Sequence, residues 1–170
     1  MFETLNTRGK DLSITDLVKN HLSKHIKPSN ASVDNMKIIW ESMLETIQSS
    51  SSDINSDTFI HHYWLSKYEY LPSKRLFKSL KKQVKKGDAK DFLDSLEENS
   101  HYYRSIHEPS YGDWKKQEVR IEEALKSFSL FKIKQQTPCV LSLVRSFRQE
   151  LIRKKHLEDA LVAIEKFHFS

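Results

Sequence analysis

The sequence predicts an all-α protein, a bundle of about seven or eight helices. Glycine and proline are scarce, with three and four residues in a chain of 170, whereas sheet proteins with many tight turns need more of both. Apolar residues recur at a helical spacing through most of the chain, and no segment alternates apolar and polar residues as a half-buried strand does. The short connections between these segments are typical of antiparallel neighbours, which indicates a bundle.

The first three predicted helices lie before residue 69. Ser13-Ile14-Thr15-Asp16 resembles a capping box, in which the serine hydroxyl accepts from a free helical N–H and the acidic residue reaches back. The helix that it starts is predicted to run to about residue 26, and a second helix covers about 33–48. The serine run 49–52 predicts a flexible connector. Asp57 is predicted to cap the third helix, whose aromatic residues we expect in the core.

Five further helices follow. They are predicted over 73–86, 88–106, 114–131, from Pro138 through Leu151, and from His156 onward. Gly87 is expected to end the fourth helix in a left-handed conformation. The candidate core positions of the last three are Val119, Ile121, Leu125 and Phe128, then Leu141, Val144, Phe147 and Leu151, then Leu157, Leu161, Ile164 and Phe167. The aromatic stripe Trp40, Tyr63, Trp64 and Tyr68 is expected to be core and not a base-stacking platform.

Composition limits the setting of the protein. A single cysteine, Cys139, excludes an internal disulfide and a cysteine-based zinc site, and we expect it to be a buried structural thiol in a reducing compartment. No apolar run approaches the ~18 residues of a membrane span, and residues 1–4 do not begin a signal peptide. We therefore expect a cytoplasmic protein with no membrane partner. The net charge of +5 permits contact with nucleic acid without requiring it.

A basic run is the first candidate site. Between Ser73 and Gly87 lie seven cations and no acidic residue, and on a helical period five of the lysines share one face: Lys74, Lys78, Lys81, Lys82 and Lys85. We call these five lysines the lysine face. Such a face can bind a phosphate backbone. The alternative is a solubilising face, neutralised by the acidic residues of the next helix: Asp88, Asp91, Asp94, Glu97 and Glu98.

The sequence offers weaker evidence for other candidate sites. A second basic cluster is interrupted by acids and allows the same two interpretations: Arg145, Arg148, Arg153, Lys154 and Lys155. His21 and His25 are four residues apart, as paired zinc ligands on a helix are, but no third ligand is identifiable, and we expect no metal there. The chain has no nucleophile-elbow motif and no phosphate-binding P-loop motif, so neither of these catalytic classes is predicted.

The N-terminal segment carries a resemblance to a known family. Residues 2–20 read FETLNTRGKDLSITDLVKN. Their fixed positions match a signature of the GmrSD-type restriction endonuclease N-terminal family, whose members have a ParB/sulfiredoxin-like nucleotide-dependent domain. The segments 59–66, 138–141 and 163–169 resemble later parts of that family more loosely.

The resemblance implies a setting in which this chain is one part. Family members place a strand-rich half with an Asp-Gly-Gln-Gln-Arg motif before the signature, and a His-Asn-His-type nuclease domain after the helical part. This chain contains neither. It divides into residues 1–12, the end of the nucleotide-dependent half, and residues 13–170, a single helical domain. The resemblance implies an NTP and a divalent metal for the full-length family, and we expect no cofactor in this chain itself.

A second candidate site precedes the first helix: Asn6, Arg8, Gly9 and Lys10. Two cations beside a glycine, just ahead of a helix N-terminus, suit a phosphate or other anion. The resemblance places this segment close to the nucleotide-dependent half and implies a secondary part in its site. The alternative is a tight turn held by Asn6 and Gly9, with both cations solvated.

Three functions remain open from the sequence. The first is a non-catalytic helical subdomain of a GmrSD-like defence protein, supporting the nucleotide-dependent half and contacting DNA. The second is a stand-alone nucleic-acid-binding helical module that uses the lysine face. The third is a protein–protein interaction module. The parent family resembles an NTP-dependent endonuclease, and this chain alone is expected to have no catalytic site.

Overall fold

A computed structural model describes residues 12–26, 30–131 and 134–169, and in these residues the chain forms eight α-helices and no strand. The helices are α1 (Ile14–His25), α2 (Asn30–Gln48), α3 (Ser56–Leu65), α4 (Ser73–Gln83), α5 (Ala89–His107), α6 (Val119–Leu130), α7 (Thr137–Arg148) and α8 (Lys154–Phe169). Two single-turn 3-10 helices, Pro109–Tyr111 and Lys116–Glu118, lie between α5 and α6. The predicted all-α bundle is confirmed.

Helix α5 lies at the centre of the bundle and contacts α1, α2, α3, α6 and α7. Its buried face is wide and mixes apolar and small polar side chains: Phe92, Leu93, Leu96, Asn99, Ser100, Tyr103 and Ile106. Each large apolar side chain buried in this way contributes about 1.5–3 kcal/mol to folding. The arrangement leaves the short helix α4 at the edge of the bundle, where it packs on α1 and α3.

The start of α1 follows the predicted capping box in part. The Ser13 hydroxyl oxygen accepts a hydrogen bond from the backbone N–H of Asp16 at 3.0 Å, as expected. The Asp16 carboxylate then accepts from the Ser13 hydroxyl, at 2.7 Å. The box is thus closed between the two side chains.

Asp57 caps a different helix from the one predicted. Asn55 is the N-cap of α3, and its side-chain oxygen accepts from the backbone N–H of Thr58 at 2.9 Å. The Asp57 carboxylate instead accepts from the backbone N–H of Thr15, in the first turn of α1, at 2.9 Å, and from the Thr15 hydroxyl. The prediction for Asp57 is wrong because a tertiary contact satisfies a free N–H of α1 with a side chain from α3.

The serine run 49–52 is not a loose connector. The Glu108 carboxylate, at the end of α5, accepts hydrogen bonds from the hydroxyls of Ser50 at 3.0 Å and Ser51 at 2.8 Å, and from Arg104 at 2.8 Å. Burial raises the pKa of Glu108, but these hydrogen bonds outweigh it and lower the pKa to about 2. A charged carboxylate therefore fixes the connection between α2 and α3.

Three predicted core positions lie at helix ends and are exposed. Val119 is the first residue of α6, after a 3-10 turn, and is 45% exposed. Leu151 lies beyond the end of α7, after Glu150 has turned the chain with a φ of 59°, and is 73% exposed. Phe167 lies in the last turn of α8 and is 77% exposed. These predictions are wrong because the packed part of each helix is shorter than its apolar pattern.

Candidate nucleic-acid interface

Helix α4 separates its apolar and basic residues onto opposite faces. Leu76 and Leu80 are fully buried against the bundle, and Phe77 is half-buried beside them. Pro72 precedes the first helical residue, where its missing N–H costs no hydrogen bond. The cations of the segment are all exposed: Lys74, Arg75, Lys78, Lys81, Lys82, Lys85 and Lys86.

The lysine face is partly helical and partly an extension of the helix. Lys74, Lys78, Lys81 and Lys82 lie on α4 within one stripe, since residues three and four apart share a face. Lys85 lies beyond the helix, which ends at Gln83. The predicted end at residue 86 is therefore wrong, and Lys85 does not share the helical register of the other four.

Val84 ends α4 through a contact with α1. The backbone of Val84 is extended, with φ −96° and ψ 101°, and its side chain is buried. Its carbonyl oxygen accepts a hydrogen bond from Nε2 of the buried His21 at 2.8 Å. The chain turns immediately afterwards, where the backbone N–H of Asp88 donates to the carbonyl of Lys85 at 3.0 Å. Gly87 is not the cap of α4, because the last helical residue, Gln83, lies four residues earlier.

No ion pair neutralises the lysine face among the described residues. Two acidic residues of α5 have other partners: Asp94 pairs with Lys90 at 2.5 Å, and Glu98 accepts from the Tyr102 hydroxyl at 2.8 Å. Lys81 has an aromatic neighbour, since its ammonium lies 5.1 Å from the centre of the Phe77 ring. Direct ion pairing with the next helix is therefore not found among the described residues. The alternative suggested by the sequence, a solubilising face neutralised by the acidic residues of that helix, does not depend on such close pairing.

The surrounding sequence keeps this end of the bundle basic. Between Asp57 and Asp88 the chain contains eight lysine and arginine residues and a single acidic residue, the exposed Glu69. Lys19 and Lys24 are exposed on α1, the helix on which α4 packs. A carboxylate does lie beside the end of this segment, since that of Asp88 accepts a hydrogen bond from the backbone N–H of Lys85 at 3.3 Å. The excess of positive charge in this segment attracts polyanions.

Three of the five residues of the second basic cluster make structural contacts, whereas Arg153 and Lys155 are exposed. Arg145 is buried and donates to the Ser66 carbonyl at 2.7 Å and to the Asn99 side chain at 3.0 Å. Arg148 pairs with Glu118 at 3.4 Å. Lys154 also has partners, which are the Glu158 carboxylate and the Gln117 carbonyl. These cations hold helices together, in contrast to those of α4.

The candidate anion site at Asn6, Arg8, Gly9 and Lys10 lies outside the described residues. The first part of the family signature, residues 2–11, lies outside them as well.

The paired histidines of α1 make structural contacts. The Nε2 atom of His21 is used in the bond to Val84, and the rings of His21 and His25 lie edge to face at 4.5 Å. The described residues contain no group of three or more histidine, cysteine or acidic side chains placed to hold a metal ion. Cys139 is exposed on α7, which corrects the expectation of a buried thiol.

A cavity of about 280 Å³ opens between α5, α6 and α7. His107 contributes to its wall, and burial, followed by the charges of His62 and Lys134, lowers the pKa of His107 to about 4. Burial and then His61 lower the pKa of the nearby His62 to about 4 as well. Both imidazoles are therefore neutral at pH 7. The cavity wall is mixed, and no nucleophile paired with a base identifies a reaction there.

Sequence reasoning missed one exposed residue beside α4. Tyr70 lies in the connection between α3 and α4 and is 83% exposed, whereas the predicted core residues Trp40, Tyr63 and Trp64 are buried as expected. Pro72 gave a usable signal, because a proline disfavours helix in the residue before it and so predicts an extended connection.

No protein-family model matches the chain, and comparisons with curated proteins and with solved structures give no match. Within the described residues, none of the helices combines the length and apolar character that crossing a bilayer requires.

Proposed function

We propose that this chain is a non-catalytic helical module that binds the phosphate backbone of nucleic acid through the lysine face of α4. The observation that carries the proposal is the exposure of seven cations at residues 74–86, none of which has an ion-pair partner among the described residues. A solubilising face does not require such a concentration of one charge. A phosphate-binding face does, because affinity grows with the number of phosphates neutralised.

The size of the effect follows from counterion release. Each phosphate neutralised on duplex DNA contributes a slope of about −0.9 to the dependence of log affinity on log salt concentration. If the five lysines of the lysine face each bind one phosphate, affinity falls about 10²–10³-fold between about 50 and 200 mM salt. None of these lysines has an ion-pair partner among the described residues, so binding a phosphate breaks no ion pair within the protein.

The resemblance of residues 2–20 supports a wider setting for this module. In that setting the chain is the helical subdomain of a GmrSD-like, modification-dependent restriction protein for phage defence. It would support a nucleotide-dependent half and contact the DNA. This part of the proposal rests on the sequence signature alone, and the binding experiment below does not depend on it.

Fluorescence anisotropy with a labelled DNA duplex, at about 50 mM salt, tests the proposal. The test variant changes Lys78, Lys81, Lys82 and Lys85 to Gln. The matched control changes four exposed lysines on other elements to Gln: Lys37, Lys116, Lys126 and Lys155. Both variants lose four positive charges from a chain of net charge +5. The control also breaks the exposed ion pairs Lys37–Glu41 and Lys126–Glu122, each of which is worth only about 0–1 kcal/mol.

We expect the wild type and the control to bind and the α4 variant to lose most of its affinity. Equal binding by the two variants would mean that only net charge matters, and the lysine face would then be no site. Absence of binding by the wild type, to this duplex and to a single strand of the same length alike, would also contradict the proposal.

A further inference from the structure

Tyr70 is the most exposed large side chain among the apolar and aromatic residues that the structure describes. Exposed aromatic rings are common singly, and exposure alone does not make a site. The features that distinguish Tyr70 are the rigidity of the backbone that carries it and its position at the start of the lysine face.

The connection between α3 and α4 is fixed on both sides of Tyr70. Before it, the Tyr68 ring packs on Trp64, with ring centres 4.4 Å apart and the planes at 33°. After it, Leu71 is buried, and its carbonyl accepts a hydrogen bond from His61 Nε2 at 2.9 Å. The backbone is therefore held while the Tyr70 ring projects into solvent, which lowers the entropy that a stacking partner must overcome.

Tyr70 lies shortly before the lysine face along the chain. Lys74 is four residues further on, so the two Cα atoms are at most about 14 Å apart. From Lys74 to Lys82 the helix rises about 12 Å. A strand that runs along these lysines therefore has an aromatic ring within reach at its end.

We infer that the lysine face takes single-stranded nucleic acid, with one unpaired base stacked on the Tyr70 ring while the lysines bind the phosphates. This inference rests on the proposed function. Bases of a duplex already stack on each other and offer no free face, whereas an unpaired base has one. Stacking on an aromatic side chain is tolerant of sequence. The site therefore distinguishes single strands from duplexes and does not select a particular base.

The binding experiment uses the full chain and three labelled probes of about 15 nucleotides: oligo-dT, oligo-rU and a DNA duplex. Tyr70→Ala should weaken binding of the single strands about tenfold and leave the duplex unchanged. Tyr70→Phe keeps the ring and should bind as the wild type does. Phe167→Ala removes a similarly exposed aromatic ring on α8 and is the matched control. Comparison of oligo-dT with oligo-rU shows whether the bound strand is DNA, RNA or either.

A direct readout separates stacking from a general loss of affinity. Oligo-dT carrying 5-iododeoxyuridine should crosslink to Tyr70 on irradiation, as located by mass spectrometry. No crosslink at Tyr70, or equal losses on single strands and duplex in Tyr70→Ala, would overturn the inference. Binding to phosphatidylserine vesicles that needs Tyr70, without binding to the oligonucleotides, would overturn it in favour of a lipid surface.

The two proposals fail in different ways. One outcome is that the four-lysine variant loses affinity for all three probes while Tyr70→Ala keeps its affinity for each of them. In that case the lysine face binds phosphate, and the stacking inference is wrong. If the wild type binds none of the probes, both fall.

Discussion

Nε2 of His21 donates a hydrogen bond to the backbone carbonyl of Val84 at 2.8 Å, and this contact between α1 and α4 ends the lysine-bearing helix. Both groups are buried. The bond fixes where α4 stops, and therefore where Lys85 leaves the helical stripe. A histidine pair that resembles half of a metal site is thus a structural contact.

His21→Ala should destabilise the fold, because it leaves the buried Val84 carbonyl without a partner. We expect a loss of about 1–3 kcal/mol in the free energy of unfolding, measured by urea denaturation. His25→Ala, on the next turn and only half-buried, is the control and should cost less. Equal losses from the two substitutions would contradict the role given to the Val84 bond.

Asp57→Ala should destabilise α1, although Asp57 belongs to α3. The substitution removes the acceptor for the Thr15 backbone N–H and hydroxyl, and a lost N-cap costs about 0.5–2 kcal/mol. Amide hydrogen exchange should speed up in α1 more than in α3. Asn55→Ala, which removes the cap of α3, should show the reverse pattern.

Arg145→Lys should cost stability although the charge is kept. The guanidinium donates at once to Ser66 and Asn99, which joins the end of α3 to α5, and a lysine cannot reproduce that fork. Leaving buried acceptors unpaired costs about 1–3 kcal/mol each, so the thermal midpoint should fall by several degrees. Arg153→Lys, at an exposed position, should leave the midpoint unchanged.

Stability should fall as the pH falls below about 6.5. The pKa values of His62 and His107 are lowered to about 4 in the folded chain, so the unfolded chain binds protons first. The contribution is fully present above the unfolded pKa and is lost as the pH falls towards 4. Thermal midpoints over this range should decline in the wild type and decline less in His62→Gln combined with His107→Gln. A midpoint independent of pH would contradict the burial of these imidazoles.

The stabilising contribution of the charged Glu108 carboxylate is lost in a separate and lower pH range. Its pKa is lowered to about 2, so its contribution is present above its ordinary pKa and declines only as the pH falls through the region below that value. The histidine effect can therefore be measured before Glu108 takes up a proton.

Local patterns predicted the helices, and tertiary contacts decided their ends. The spacing of Leu76 and Leu80 was enough to predict α4 and its buried face, because helical periodicity is a local property. The end at Gln83 depends on His21, which is 63 residues from Val84 in sequence. Asp57 shows the same limit, since its side chain had a local helix start to cap and caps a distant one instead.

The candidate site was also predictable in part from the sequence and in part only from the three-dimensional structure. The absence of acids near Lys78 and Lys82 predicted a basic face, and the lack of ion pairs with α5 could be established only in three dimensions. Arg145 looked like part of a second basic surface, and its burial was not readable from charge spacing. Tyr70 was overlooked because the exposure of a lone aromatic residue depends on what its neighbours bury.

The dependence of binding on salt tests the central claim most directly. We would measure the dissociation constant of a DNA duplex against salt concentration for the wild type, the variant with Lys78, Lys81, Lys82 and Lys85 changed to Gln, and the matched control. The slope of log affinity against log salt should become shallower by about 0.9 for each residue of the lysine face that is changed, and stay near the wild-type value in the control. Equal slopes for the α4 variant and the wild type would show that the lysine face does not bind phosphate.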